Sequence, residues 1–107
     1  MLLLLDENLP KRLKLDFADH QIYTVRDKGW HGIKNGKLLK LMLADRFDAL
    51  LTFDKNLGYQ QNFSKYTITV FVLSAATNTY VELTKLSGKV KQHIDSRSLP
   101  TGPILIQ

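Results

Sequence analysis

Two aspartates of this sequence each follow a short apolar run. Asp6 comes after Leu2–Leu5, and Asp54 comes after the apolar segment 49–53. Carboxylates at the ends of buried strands are candidate ligands for Mg²⁺ or Mn²⁺, which prefer hard oxygen donors and leave positions for water and a phosphate oxygen. Such a site is suited to phosphodiester hydrolysis. The alternative is that each carboxylate caps the turn or helix that follows it.

Composition limits the classes of function that are open to the chain. It has 107 residues, no cysteine and a formal net charge of +5, which predicts a single domain over 1–107 without disulfides, a thiolate metal site or a cysteine nucleophile. The positive charge favours contact with a polyanion such as nucleic acid, and solubility is the alternative explanation. Asp6 interrupts the apolar N-terminus too early for a signal peptide or a membrane span, so we expect a soluble, cytoplasmic protein without membrane contact.

Short apolar runs alternate with helix-like segments along the chain. Near-continuous apolar strands separated by helices are typical of a mainly parallel sheet that is covered on both faces. The sequence therefore predicts an α/β fold, a three-layer sandwich with a mainly parallel central sheet. The predicted strands are Leu2–Leu5, 22–25, 48–53 and 68–73, with Gly102–Ile106 as an edge strand or extended tail; the predicted helices are 9–18, 35–46 and 79–96, with a short helical turn within 56–64.

A flavodoxin-like strand order would place the first strand between the second and the third. Ligands of open α/β sheets bind beyond the carboxyl ends of the strands, at the point where the strand order reverses. We therefore expect Asp6 and Asp54 to flank one crevice, and Glu7 to point away from it because neighbouring residues face opposite sides. Asn8 is interpreted as a helix cap; Asn78 either supplies a further polar ligand or caps a helix, and the cap is favoured.

Three segments, 4–10, 25–32 and 51–57, resemble motifs of the short PIN-like proteins (Mut7-C/PIN-like) often encoded in bacterial toxin–antitoxin pairs. The resemblance extends from Leu2 to about Leu86. It implies a PIN-like sandwich and a Mg²⁺-dependent ribonuclease that is held inactive by an antitoxin protein. Carried over residue by residue, Asp6 and Asp54 match two acidic positions of the family motif.

The chain departs from the family pattern at two further acidic positions. Where many members have an acid at the start of the helix after the second strand, this chain has Asn35 and Lys37, and Asn56 replaces a second aspartate after the third strand. An asparagine oxygen can bind a hard cation without contributing charge, so Asn35 is a candidate auxiliary ligand. Lys37 either pairs with Asp6 or Asp54 in place of a cation, or faces solvent.

Basic and aromatic residues near the same helix are candidate RNA contacts. Lys34, Lys37 and Lys40 could bind a phosphate backbone, and a solvated surface is the alternative for some of them. Trp30 either stacks on an unpaired base or anchors its loop on the sheet.

Two functions follow from these residues. The preferred hypothesis is a metal-dependent ribonuclease toxin, in which Asp6 and Asp54 hold Mg²⁺ and activate water. The alternative is a catalytically degenerate PIN-like module that binds RNA or a protein partner without metal, as Lys37 and Asn56 indicate. A receiver regulated at Asp54 is less favoured, since Lys55 follows closely.

The apolar helical segment 38–43 could pack on the sheet or form a homodimer.

Overall fold

Five parallel strands form one sheet in the order β2-β1-β3-β4-β5. The computed structural model describes residues 1–57, 61–96 and 99–107. The predicted α/β class, the parallel sheet and the position of the first strand between the second and third are all confirmed. The elements are β1 (Leu2–Leu5), a 3₁₀ helix (Lys11–Phe17), β2 (Gln21–Thr24), α1 (Asn35–Ala44), β3 (Ala49–Thr52), β4 (Thr69–Leu73), α2 (Tyr80–Asp95) and β5 (Gly102–Ile106).

Alternating side chains of the strands build two apolar clusters, one on each face of the sheet. Leu3 and Leu5 pack in one cluster with the 3₁₀ helix and α2, whereas Leu4 packs in the other cluster with α1. Successive strand residues point to opposite faces, so the leucine run of β1 supplies both clusters. This arrangement is compatible with a three-layer sandwich. Of the helices in the described ranges, none is long and apolar enough to cross a membrane.

The segment after β1 is a 3₁₀ helix, so the predicted helix over 9–18 is wrong in its start and type. Pro10 is extended, with φ −66° and ψ 135°, and the helical segment therefore begins only at Lys11. The Leu13 N–H donates to the Pro10 carbonyl over 3.0 Å, which is the i→i+3 bond of a 3₁₀ turn. The predicted apolar stripe is nevertheless correct, because Leu9, Leu13 and Phe17 are all buried.

Helix α1 begins at the predicted Asn35 but ends two residues early, at Ala44. Arg46 has a left-handed conformation with φ 62°. Its N–H donates to the Leu43 carbonyl, and the Phe47 N–H donates to the Met42 carbonyl. These two bonds define a Schellman motif, which closes the helix and turns the chain toward β3.

Both edge strands present few free backbone donors to solvent. On β5, alternate residues such as Gly102 bond β4, so Pro103, which has no N–H, faces the open edge. On β2, Thr24 faces the open edge; its N–H donates to Asp27 over 2.8 Å and its carbonyl accepts from Lys28. The predicted edge-strand alternative for the C-terminal segment is confirmed. The predicted helical turn within 56–64 includes residues 58–60, which lie outside the described ranges.

Candidate functional site

The carboxyl ends of β1 and β3 bring Asp6 and Thr52 side by side. Leu5 is level with Leu51 in the sheet, and the Asp6 N–H donates to the Leu51 carbonyl over 2.9 Å. Strand β3 ends at Thr52 rather than at the predicted 53, so Asp54 follows the strand by two residues.

The Thr52 hydroxyl connects the two aspartates. It donates to Asp6 Oδ2 over 2.7 Å and accepts the Asp54 backbone N–H over 3.1 Å. Thr52 is fully buried, so both bonds are shielded from water and fix the two residues relative to each other. The structure therefore brings together the two acids that lie 48 positions apart in the sequence.

Asn8 forms a second connection between the two strand ends. Its Oδ1 accepts the Phe53 N–H over 3.1 Å, and its Nδ2 lies 3.4 Å from the Thr52 hydroxyl. The prediction that Asn8 caps a helix is therefore wrong, because its side chain satisfies a donor of the neighbouring strand. Asn78 does not cap α2 either: its Nδ2 donates to the Asn8 carbonyl over 3.0 Å and thereby ties the start of α2 to the same edge.

Asp6 is the carboxyl group whose charged form is disfavoured at this edge. Burial raises the pKa of Asp6, and the negative charges of Glu7 and Asp54 raise it further. Hydrogen bonds from the Thr52 hydroxyl and the Glu7 N–H act in the opposite direction on this pKa, but the net direction is upward. A cation placed between Asp6 and Asp54 would relieve this electrostatic cost.

Asp54 has both a local and a long-range partner. Its Oδ1 accepts the Asn56 N–H over 2.9 Å, which is the local capping role considered for this carboxylate. Its Oδ2 lies 3.4 Å from Asn35 Nδ2. The first residue of α1 is therefore joined to the end of β3, and Asp6, Asn35 and Asp54 belong to one site.

The three candidate RNA-binding lysines are all exposed. Lys34 immediately precedes α1, Lys37 lies in its first turn and Lys40 lies one turn further along. None of them forms an ion pair with a residue in the described parts of the chain. The alternative in which Lys37 pairs with Asp6 or Asp54 in place of a cation is therefore wrong, and its ammonium group faces solvent.

Glu7 and Trp30 support the surrounding loop. The Glu7 Oε1 accepts the Gly32 N–H over 2.8 Å. Gly32 has φ 77°, a conformation that glycine adopts without strain. Trp30 packs against the apolar cluster beneath α1, with its ring centroid 5.8 Å from that of Phe47. Trp30 thus anchors the loop, as one of the two alternatives predicted.

The oxygen donors of Asp6, Asp54 and Asn35 fit a weakly held divalent cation. Neither carboxylate forms an ion pair with another described residue, so both can supply charge, and their hard oxygens suit Mg²⁺ or Mn²⁺. Asn35 now directs its amide nitrogen at Asp54, so it would have to rotate its amide to present oxygen. Within residues 1–57, 61–96 and 99–107, no group of three or more His, Asp or Glu side chains could hold a metal.

Thr52 and Asn8 are the two site residues that the sequence interpretation missed. A threonine at the end of the apolar run Ala49–Leu51 is a weak signal, because threonine is also common in strands. Its partner becomes evident only when β1 and β3 are aligned in register.

Comparison of the chain with protein-family models, with curated proteins and with solved structures gives no match. The site is accordingly interpreted from the chemistry of its own residues.

Proposed function

We propose that this chain is a PIN-like, metal-dependent ribonuclease that acts in the cytoplasm as the toxin of a toxin–antitoxin pair. The observation that carries the proposal is the Asp6–Thr52–Asp54 connection. The Thr52 hydroxyl joins the Asp6 carboxylate to the Asp54 backbone N–H, and neither aspartate forms an ion pair within the described residues. It lies where the strand order reverses, which is the usual position of ligand sites in such sheets.

Asp6 and Asp54 would hold Mg²⁺ or Mn²⁺, with Asn35 as an auxiliary oxygen ligand. When bound, such an ion lowers the pKa of water and stabilises charge on a phosphate oxygen. The Thr52 hydroxyl holds the Asp6 carboxylate in place, and Asn8 fixes the backbone just before Asp54 by accepting the Phe53 N–H. The exposed ammonium groups of the lysines at the start of α1 would bind the RNA backbone on one side of the site.

Cleavage of a labelled single-stranded RNA by the purified chain tests this proposal. We expect cleavage with Mg²⁺ or Mn²⁺, its loss with a chelator, and at least a tenfold loss (about 1.4 kcal/mol) in Asp6→Asn and Asp54→Asn. Asp95→Asn is the matched control, because this exposed carboxylate at the end of α2 lies away from the site. Absence of cleavage, or equal activity in Asp6→Asn and Asp95→Asn, would contradict the proposal.

A degenerate module that binds RNA or protein without metal is the second candidate. It is favoured by the small number of acids, because Asn35 and Asn56 occur where carboxylates would add charge for a cation. Calorimetric titration with Mn²⁺ distinguishes the two functions. Saturable binding that Asp54→Asn abolishes supports the nuclease, whereas no heat of binding in the unmodified chain supports the degenerate module.

The toxin assignment and the antitoxin partner rest on the resemblance of segments 4–10, 25–32 and 51–57. Induced expression of the chain in a bacterial host should slow growth, and Asp54→Asn should abolish this effect. Equal growth with both versions would contradict the toxin role. The proposed homodimer is tested by sedimentation equilibrium of the purified chain.

A further inference from the structure

A cavity of about 180 Å³ opens beside Asp6. Its walls come from the exit of β1, the exit of β2 and the start of the 3₁₀ helix. Lys11 and Arg26 line it together with Asp6, and the buried side chains of Leu9 and Val25 form its apolar part. The cavity thus shares Asp6 with the proposed catalytic site.

The other acidic groups of this cavity already have partners. Asp27 Oδ2 is 2.7 Å from the Lys14 ammonium and 2.8 Å from the Thr24 N–H, and these interactions lower the pKa of Asp27 to about 2. Glu7 accepts the Gly32 N–H. Asp27 is therefore neutralised by Lys14.

Two cations of the cavity wall, Lys11 and Arg26, have no such partner. Both are exposed, and neither forms an ion pair within the ranges that the structure describes. An arginine guanidinium and a lysine ammonium that line one small cavity can bind a phosphate group.

We infer that this cavity is a subsite for a phosphate of a single-stranded RNA, adjacent to the phosphate that Asp6 and Asp54 would cleave. This inference rests on the proposed function. Lys11 and Arg26 neutralise the flanking phosphate, while Lys34 and Lys37 at the start of α1 bind another part of the strand. The RNA strand thereby crosses the carboxyl edge of the sheet between two positively charged borders.

A polynucleotide suits the cavity better than a free phosphate ion. The Asp6 and Glu7 carboxylates in the cavity wall repel a lone anion, so Lys11 and Arg26 give it little net affinity. A strand held at several phosphates gains from every contact at once, because each further contact is intramolecular. We therefore expect RNA to bind measurably and inorganic phosphate to bind weakly at the same residues.

Fluorescence anisotropy of a labelled single-stranded RNA tests the inference without cleavage, since a chelator is present throughout. The double variant Lys11→Ala/Arg26→Ala should bind more weakly, and the slope of log Kd against log salt should fall by about 1.4, which is roughly 0.7 for each lost contact. Lys85→Ala/Lys89→Ala removes the same charge from α2, outside the cavity, and serves as the matched control.

An unchanged salt slope in Lys11→Ala/Arg26→Ala, or an equal loss in the α2 control, would overturn the subsite. NMR titration of the unmodified chain gives an independent measurement: RNA should shift the backbone amides of Lys11 and Arg26, and their failure to shift counts against the inference. RNA binding through these residues without any metal-dependent cleavage would support the subsite and refute the nuclease. Metal-dependent cleavage with the same KM in Lys11→Ala/Arg26→Ala as in the unmodified chain would support the nuclease and refute the subsite.

Discussion

Replacing Thr52 by valine tests whether its hydroxyl holds the candidate site together. The substitution removes the bonds to Asp6 Oδ2 and the Asp54 N–H, while the side chain keeps nearly the same shape. Since Thr52 is fully buried, water cannot replace the lost partner. The change should therefore lower stability and also alter the charge state of Asp6.

The expected loss of stability comes mainly from the bond to the charged carboxylate. Removing such a bond costs about 1.5–3 kcal/mol, and leaving the Asp54 N–H without its acceptor adds about 1 kcal/mol. The contact with Asn8 at 3.4 Å contributes little. Burying an additional methyl group offsets roughly 0.8 kcal/mol. The net decrease in the free energy of unfolding is therefore about 2–3 kcal/mol at pH 7.

The cost of Thr52→Val should also depend on pH. The Thr52 hydroxyl lowers the pKa of Asp6, so its removal raises that pKa further above the ordinary value of 3.8. A carboxyl with a raised folded-state pKa stabilises the fold below its unfolded-state pKa and loses that contribution as pH rises through the folded-state pKa. The destabilisation should therefore be smallest below pH 3.8 and grow by about 1.4 kcal/mol for each added pKa unit.

Urea denaturation over a range of pH measures this effect, with ¹³C NMR of the Asp6 carboxyl reporting its pKa. Thr69→Val is the matched control, because Thr69 is a buried strand threonine whose hydroxyl donates to the Pro100 carbonyl. The control should cost about 1 kcal/mol at every pH. A cost of Thr52→Val that does not vary with pH, together with an unchanged Asp6 pKa, would refute the role of the hydroxyl.

Three further predictions concern other interactions of the fold. Asp16 accepts hydrogen bonds from the hydroxyls of Tyr80, Thr84 and Ser87 of α2. Burial raises the pKa of Asp16, but these bonds outweigh it and lower the pKa. Asp16→Asn should therefore decrease the free energy of unfolding by about 1 kcal/mol at pH 7, and urea denaturation should show this cost disappearing as pH falls below 3.8. Asp54→Asn should lower the Asp6 pKa in the same NMR titration, because the negative charge of Asp54 raises that pKa. An unchanged Asp6 pKa would mean that the two carboxylates are too far apart to interact electrostatically. Arg46→Gly should raise the free energy of unfolding by about 0.5–1 kcal/mol, because glycine adopts φ 62° without strain; a decrease would mean that the arginine side chain is itself stabilising.

The arrangement of the sheet could be predicted from the sequence because its strands are almost wholly apolar. Such strands require cover on both faces, and parallel neighbours joined by helices follow from that requirement. The position of β1 between β2 and β3 then predicts that Asp6 and Asp54 lie at one edge. The continuous leucine run of β1 also predicts its contribution to both faces.

Local backbone conformation accounts for most of the differences. Pro10 lies within the apolar stripe of the predicted first helix, yet its extended conformation delays the helical turn to Lys11. Arg46 adopts a left-handed conformation that sequence patterns do not predict for arginine. Asn8 has the residue type of a cap, but its partner lies on another strand. The Asn8 side chain binds a residue distant in sequence, so a local pattern could not predict its role.

The blocked edges of the sheet limit how this chain can associate with others. Exposed strand edges recruit strands from neighbouring molecules and thereby promote aggregation. Pro103 removes a donor from one edge, and the bonds of Thr24 occupy a donor and an acceptor on the other. Strand addition is thus hindered at Pro103 on one edge and at Thr24 on the other. Any specific partner would accordingly be expected to bind through helices or the charged carboxyl edge.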